Sequence, residues 1–274
     1  MEKKVGLVFG GGGARSFIHL GVYDELIDSG IKVNYIVSSS MGSLIGALIA
    51  GGVPTDKIKK EFYRVVMRVN WLKPIISKKG FFSQSNIRKI LINLIDSASF
   101  EELKIPITMV STDLSEGREV LLESGNVVDA VCASSAFPGI YKPVVINNKL
   151  LADGGILNNV PADICREKIG NDSVVITSSL EGKFDTSFES LNNSFQVLWR
   201  SIYIPIIKSR DRIVRENSDI ILNPLKDTYL SFNTWRDIFK FYNPKIMESF
   251  YQKGREEARN QIPKIKELIS GANS

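Results

Sequence analysis

Histidine and cysteine are scarce in this chain of 274 residues, which contains one histidine, His19, and two cysteines, Cys132 and Cys165. A Ser-His-Asp triad must therefore use His19 or be absent. Two cysteines in partly apolar, helical patterns make neither a disulfide framework nor a metal motif, and buried, reduced thiols favour a reducing compartment. Without a cluster of histidines and cysteines, the sequence predicts no metal site.

Long apolar runs are also missing. No stretch approaches the roughly 18 consecutive apolar residues of a membrane-spanning helix. The apolar run after Lys3-Lys4 extends only from Val5 to Phe9 before glycines follow, which is shorter than a signal peptide requires. We therefore expect a cytoplasmic protein.

Positive charge exceeds negative charge modestly, with a formal net charge of +5, and this excess does not by itself indicate nucleic acid. Residues 55–90 carry a local excess, because ten Lys and Arg face only Asp56 and Glu61 there. A solvated helical face explains such a segment, and so does peripheral contact with an anionic membrane. The ten are Lys57, Lys59, Lys60, Arg64, Arg68, Lys73, Lys78, Lys79, Arg88 and Lys89.

Short apolar runs alternate with helical patterns along the whole chain, and neither repeats nor a clear linker interrupt them. This alternation predicts an α/β fold with a mainly parallel sheet, in one domain over residues 1–274. The motifs described below fall within a core of about residues 4–170. A helical region follows at about residues 187–270.

Four glycines, Gly10 to Gly13, separate the first predicted strand from the first predicted helix. A dinucleotide fingerprint would need a further glycine where Ser16 stands, and a P-loop would need a Gly-Lys-Ser/Thr sequence that is missing. The alternatives that remain are a tight structural turn and an oxyanion hole, in which backbone N–H groups of the loop stabilise a negative charge.

A second strand-turn-helix pattern carries the sequence Ser38-Ser39-Ser40-Met41-Gly42. It matches the nucleophile elbow G-x-S-x-G except that Ser38 replaces the first glycine. Ser40 is at the bend and is the candidate nucleophile. Helix capping by Ser38 or Ser39 is the alternative interpretation.

A serine nucleophile needs a proton acceptor. His19 has apolar neighbours on a predicted helix, a setting more typical of a structural histidine. Asp153 directly follows a predicted strand and precedes Gly154 and Gly155, which allow it to lie close to another backbone. A partly desolvated Asp153 would have a raised pKa and act as a base near neutral pH.

Taken together, these segments resemble the patatin-like phospholipase family over roughly residues 4–170. The resemblance implies a three-layer α/β/α patatin-like fold and a Ser–Asp dyad formed by Ser40 and Asp153. Two positions depart from the family pattern, since Ser16 and Ser38 stand where the family has glycine. The remaining implied site residues are Gly11, Gly12 and Gly13 in an oxyanion hole supported by Arg15, and the motif residues Ser38, Met41, Gly42, Gly154 and Gly155.

The resemblance implies a carboxylic ester hydrolase of the phospholipase A or lysophospholipase type that acts on a phospholipid or another lipid ester and needs no cofactor. A lipid acyltransferase with the same dyad and a catalytically silent lipid-binding protein are the alternatives. Aromatic-rich regions at residues 62–82 and 229–242 are candidates for an apolar entrance, with core packing as the other explanation. Their apolar and aromatic residues are Phe62, Trp71, Ile75, Ile76, Phe81, Phe82, Tyr229, Phe232, Trp235, Phe239, Phe241 and Tyr242.

Overall fold

The computed structural model describes residues 2–68, 84–96, 98–183, 191, 193–229 and 241–271. Strands and helices alternate over these ranges, as the apolar runs predict. The strands are β1 (Lys4–Phe9), β2 (Tyr35–Ser39), β3 (Ile107–Asp113), β4 (Arg118–Leu122), β5 (Val144–Ile146), β6 (Lys149–Asp153), β7 (Ser173–Ser178) and β8 (Ile220–Leu222). The helices are α1 (Phe17–Asp28), α2 (Met41–Ala50), α3 (Thr55–Arg68), α4 (Ser85–Ile95), α5 (Val127–Ser134), α6 (Ala162–Ile169), α7 (Ser194–Asn217) and α8 (Pro244–Ser270).

The described strands form one sheet in the order β5-β6-β3-β2-β1-β7-β8, and β4 pairs with β3. The central strands β3, β2, β1, β7 and β8 run parallel to one another. The antiparallel pairs are β3–β4, β3–β6 and β5–β6. Parallel strands carry continuous apolar runs because helices cover both of their faces.

Alternate residues of the central strands contribute to two separate apolar cores. Val8, Val37, Val110 and Val175 pack with residues of α6 and α7 on one face of the sheet. Their neighbours along the same strands pack with α1, α2, α5 and α8 on the other face. This alternation, which follows from the two-residue period of a strand, confirms the expected three layers of helices, sheet and helices.

Two local features illustrate how residue type and tertiary packing act on the backbone. Asn147 and Asn148 both have positive φ angles in the tight two-residue turn between β5 and β6, a conformation that asparagine tolerates. Helix α8 continues through Pro263, although a proline within a helical pattern usually ends or bends the helix. A proline removes one backbone hydrogen bond, and tertiary packing of a long helix can offset that loss.

Helix α8 packs closely against α1, at a crossing where both helices have glycine. A Cβ atom at Gly21 would lie 2.0 Å from the Tyr251 carbonyl oxygen, and one at Gly254 would lie 2.1 Å from the Ile18 carbonyl oxygen. Beside this crossing, Arg255 donates to Glu25, which is buried. The C-terminal helix is therefore fixed directly on the helix that follows the glycine loop.

Candidate active site

The registers of adjacent strands bring three distant segments to one edge of the sheet. Phe9 is paired with Ser38 on neighbouring strands, so Gly11 lies beside Ser40. Ser39 is paired with Val110, where the pairing of β2 with β3 ends. From Ser111 onward β3 pairs with β6, and Asp153 is the partner of Ser111. Ser40 and Asp153 therefore meet although 113 residues separate them in sequence.

Ser40 has the strained backbone that a nucleophile elbow requires. Its φ is 54° and its ψ is −135°, a conformation that residues with a side chain rarely adopt. The turn is tight because α2 begins directly against the end of β1. A Cβ atom at Gly42 would lie 2.5 Å from the Phe9 carbonyl oxygen, so only glycine fits there.

The Ser40 hydroxyl donates a hydrogen bond of 2.7 Å to Oδ2 of Asp153. The other carboxylate oxygen, Oδ1, accepts a hydrogen bond of 2.7 Å from the Gly155 N–H. Asp153 is only 1% exposed, and burial raises its pKa to about 7, against the lowering effect of these two hydrogen bonds. A carboxylate with this pKa can accept a proton at neutral pH.

Side chains of β3 hold the strand end that carries Asp153. Ser111 Oγ donates to the Ala152 carbonyl oxygen at 2.6 Å, and Thr112 Oγ1 donates to the Asp153 carbonyl oxygen at 2.9 Å. Only glycine fits at position 154, because a Cβ atom there would lie 2.3 Å from the Val110 carbonyl oxygen. The two glycines after Asp153 thus permit a close approach, as their sequence position indicates.

A chain of buried hydroxyls lies behind the elbow. Ser38 Oγ donates to Ser43 Oγ at 3.1 Å, and Ser43 Oγ contacts Ser134 Oγ at 2.8 Å. Ser134 Oγ accepts the Ser40 N–H at 3.1 Å and donates to the Val110 carbonyl oxygen at 2.6 Å. The Ser38 hydroxymethyl group therefore adds a hydrogen bond where the family has glycine. Sequence reasoning missed Ser134, because nothing local distinguishes it from other serines.

His19 lies on the first helix and does not contact Ser40. Its Nε2 is 2.8 Å from the Gly10 carbonyl oxygen, and its Nδ1 is 2.8 Å from Ser178 Oγ. Because a carbonyl only accepts hydrogen bonds, Nε2 carries the proton and Nδ1 accepts from Ser178. Complete burial lowers the pKa of His19 to about 3. This neutral imidazole supports the start of the glycine loop.

The glycine loop is held by its neighbours on both sides. Gly11 donates its N–H to the Asn159 carbonyl oxygen at 3.0 Å. The buried Arg15 donates from Nε to the Gly12 carbonyl oxygen at 3.0 Å and from Nη1 to the Leu180 carbonyl oxygen at 2.8 Å. Within the described residues, the N–H groups of Gly12 and Gly13 donate to no hydrogen-bond acceptor. Arg15 thus fixes the backbone of the loop.

An open cavity lies in front of Ser40. Its polar side consists of Ser40, Ser135, Asp153, Asn159 and the glycine loop with Arg15. The rest of its lining is apolar or aromatic and includes Tyr203 and Ile206, which sequence reasoning missed. Apolar side chains that surround a few convergent polar groups are typical of ligand sites. The other apolar or aromatic residues of the lining are Met41, Phe137, Ile140, Tyr141, Phe241 and Tyr242.

The predicted apolar entrance has a mixed outcome. Phe241 and Tyr242 line the cavity, whereas Phe62 is buried in the core with its ring 5.1 Å from that of Phe17. For Phe62, core packing is therefore the correct explanation, because α3 turns this residue toward α1. The predictions for Trp71, Ile75, Ile76, Phe81, Phe82, Phe232, Trp235 and Phe239 lie outside the described residues.

Acidic partners compensate several cations of the segment 55–90. Lys59 Nζ is 3.3 Å from Glu248, and Arg88 is 2.7 Å from Asp129. Lys73, Lys78 and Lys79 lie outside the described residues.

Over the ranges that the structure describes, none of the helices has the length and apolarity needed to cross a bilayer. In the same ranges, His, Cys, Asp and Glu side chains form no group of three that is placed to hold a metal ion.

The fold and the site define an α/β protein that combines a strained serine, a buried aspartate and a glycine loop. A sequence model of the patatin-like phospholipase family matches residues 7–166, which is more than half of the chain. The chain belongs to this family, as the motifs predict.

Two curated relatives illustrate the similarity. An uncharacterized protein of the NTE family from Mycobacterium tuberculosis is 35% identical over 161 residues, which cover 58% of this chain and 44% of that protein. Mouse patatin-like phospholipase domain-containing protein 6 is 30% identical over 211 residues, which cover 72% of this chain and 15% of that protein. The chain thus spans less than half the length of these relatives.

Solved structures show the same fold at low sequence identity. Human GIVD cytosolic phospholipase A2, solved with methyl gamma-linolenyl fluorophosphonate, matches 98% of this chain and 59% of its own, with a TM-score of 0.51 and 9% identity. VipD from Legionella pneumophila matches 96% of this chain and 67% of its own, with a TM-score of 0.50 and 13% identity. The three-layer architecture is therefore the patatin-like fold.

Proposed function

We propose that this protein is a lipid acyl hydrolase that cleaves carboxylic esters with Ser40 as nucleophile and Asp153 as general base. The observation that carries the proposal is the hydrogen bond of 2.7 Å from Ser40 Oγ to Asp153 Oδ2. Its geometry suits direct proton transfer, and the raised pKa of Asp153 suits a base near neutral pH. Membership of the patatin-like phospholipase family supports the lipid substrate class.

The reaction would proceed in two acyl-transfer steps. Asp153 accepts the proton of Ser40 as Oγ attacks the ester carbonyl carbon, and the tetrahedral intermediate forms. Its collapse breaks the bond to the alcohol, which leaves with the proton from Asp153. Water then attacks the acyl-enzyme, Asp153 accepts its proton, and Ser40 regains a proton as the fatty acid leaves.

Backbone N–H groups of Gly12 and Gly13 are the proposed oxyanion donors. Both residues line the cavity beside Ser40, and the described part of the chain offers no other partner for their N–H groups. In this proposal Gly11 helps to hold the loop in place and does not bind the oxyanion, because its N–H is already donated to the Asn159 carbonyl oxygen. Donors fixed in this way stabilise the negative charge of the intermediate without rearranging.

Labelling with a fluorophosphonate tests the nucleophile. We expect an adduct on the peptide that contains Ser40, found by mass spectrometry, and release of fatty acid from a phospholipid or lysophospholipid. A lysolipid acceptor in the same assay separates the alternatives, because an acyltransferase would yield an acylated acceptor in place of free fatty acid. A folded protein with no adduct on Ser40 would contradict the proposal and leave a silent lipid-binding protein.

The rate of labelling should rise with pH through the pKa of Asp153, about 7. Only the ionised carboxylate accepts a proton, so two pH units below this value the rate should be about one hundredth of its plateau. The measurement is the labelling rate across the pH range, with folding checked by circular dichroism at each pH. A flat profile through neutral pH would contradict the role of Asp153.

Replacing Arg15 by methionine should slow labelling of Ser40 by about ten- to a hundredfold, because Gly12 and its N–H lose their support. The alternative role, attraction of a phosphate head group, predicts a loss on phospholipids but not on a neutral soluble ester. We expect equal losses on both substrates, chiefly in kcat. Arg166→Met is the matched control, since Arg166 contacts the Ser173 carbonyl oxygen and Asp219 away from the cavity.

A further inference from the structure

The first half of α7 presents apolar side chains to solvent. Val197, Leu198, Ile202 and Ile204 are all exposed, although they stand within eight residues of one helix. A single exposed apolar residue is ordinary in a folded protein. Four on one short stretch form a patch, and contiguous apolar patches mark interaction sites.

The orientation of α7 is fixed by its inner face. Tyr203 and Ile206 line the cavity in front of Ser40. Further along the helix, the buried Arg210 has Nη1 2.8 Å from Oε2 of Glu181, which is also buried. Glu181 in turn accepts from Asn159, the residue whose carbonyl binds Gly11. The outward direction of the apolar patch therefore follows from contacts that reach the glycine loop.

The second half of α7 is cationic on the side that bears the patch. Lys208, Arg212 and Arg215 are exposed. Ile204, Lys208 and Arg212 follow one another at four-residue spacing, which places them on the same face of the helix. This face therefore changes from apolar to positively charged along its length.

We propose that the exposed face of α7, from Val197 to Arg212, docks on a bilayer surface that contains anionic phospholipids. The apolar half would enter the boundary between head groups and acyl chains, and the cationic half would contact lipid phosphates. Because Tyr203 and Ile206 belong to both this helix and the cavity wall, docking would hold the cavity beside the bilayer. That last consequence rests on the proposed function, whereas vesicle binding does not.

The segment 55–90 is a weaker candidate for this contact. Of its described cations, Lys59, Arg64 and Arg88 each lie within salt-bridge distance of an acidic side chain, whereas Lys57, Lys60 and Lys89 are exposed. Among the described residues of this segment, Met67 is the only exposed large apolar side chain. Acidic neighbours compensate part of the charge of this segment, and its described residues form no apolar patch, so α7 offers the better match to a bilayer.

Vesicle co-sedimentation of the full chain tests the proposal, in a Ser40→Ala background that cannot hydrolyse the lipid. Phosphatidylcholine vesicles with and without phosphatidylglycerol are the probes. The variant Val197→Ser/Ile202→Ser should bind phosphatidylglycerol vesicles about tenfold more weakly. The matched control is Val145→Ser/Ile221→Ser, which removes the same residue types at similar exposures, 67% and 43% against 49% and 45%, and should bind normally.

A variant that binds vesicles more strongly than the unaltered face tests the proposal independently, because misfolding cannot explain a gain of binding. Ser201 is exposed on the same face, and Ser201→Leu should strengthen vesicle binding severalfold. Equal binding by both double variants would overturn the proposal, and so would a loss of binding caused by Lys57→Gln/Lys60→Gln instead. Light scattering that showed a dimer dissociated by Val197→Ser/Ile202→Ser would assign the face to a second copy of the chain and also overturn it.

Hydrolysis separates this inference from the proposed function. With Ser40 restored, Val197→Ser/Ile202→Ser should slow hydrolysis of vesicle phospholipid but leave the rate on a soluble short-chain ester unchanged. Equal loss on both substrates would contradict docking as the role of α7. Failure of the unaltered protein to hydrolyse either substrate would contradict the proposed function, while vesicle binding would still decide the inference.

Discussion

Replacing Asp153 by asparagine is expected to lower both ester hydrolysis and labelling of Ser40 by about 10³-fold, with the fold intact. Asparagine has nearly the same shape and can still accept the Gly155 N–H, but it cannot take the proton of Ser40. Ser40→Ala should abolish labelling and hydrolysis, because no oxygen remains to attack the ester. Both losses should appear in kcat, with thermal unfolding close to that of the unaltered protein.

Asp113→Asn is the matched control for this result. Asp113 is also 1% exposed and lies on the neighbouring strand β3, but its Oδ1 accepts from the Ser115 N–H outside the cavity. This variant should label and hydrolyse at nearly normal rates. Labelling of Asp153→Asn at the normal rate would mean that another group activates Ser40, and the proposed dyad would be rejected.

Replacing Gly254 by alanine is expected to lower the free energy of unfolding by about 3 kcal/mol. Alanine favours a helix over glycine by about 1 kcal/mol, so propensity alone predicts the opposite sign. The added Cβ atom would lie 2.1 Å from the Ile18 carbonyl oxygen, however, and a backbone oxygen on α1 cannot move without moving the helix. Denaturant unfolding followed by circular dichroism measures the difference.

Gly46→Ala provides the matched control, because its Cβ atom would meet the flexible end of Ile107 at 3.0 Å. We expect a change near zero there. Gly21→Ala should destabilise like Gly254→Ala, and the double variant should lose less than the sum, since both changes push the same two helices apart. We propose that residues 1–274 form one domain and expect a single transition. Additive losses, or a separate transition for α8, would contradict this picture.

Local sequence patterns were sufficient for the parts of the site that the chain builds over a few residues. The apolar runs that precede Gly10 and Ser38 predict strand ends, and the small residues that follow predict tight turns into helices. Ser40 at a strained bend and Asp153 before two glycines could both be identified in this way. These features depend on the steric requirements of single residues, so they can be predicted without knowledge of the tertiary structure.

Features that depend on the meeting of distant segments could not be predicted in the same way. Ser134 binds the Ser40 N–H across 94 residues, and Tyr203 reaches the cavity from a helix whose pattern indicates only an apolar face. The N–H of Gly11 is already committed to Asn159, which distinguishes it from Gly12 and Gly13 in a run of identical residues. Phe62 belongs to the core, although an aromatic side chain would suit an apolar cavity entrance equally well.

The sequence by itself determined the α/β class, the family and the two residues proposed for the chemistry, because each depends on short motifs in a fixed order. The tertiary structure decided which side chains surround those residues and what their environment does. Strand register places Asp153 beside Ser40, and burial at that place raises its pKa to about 7. A pKa depends on desolvation and on neighbours from several segments, and only the folded chain brings these together.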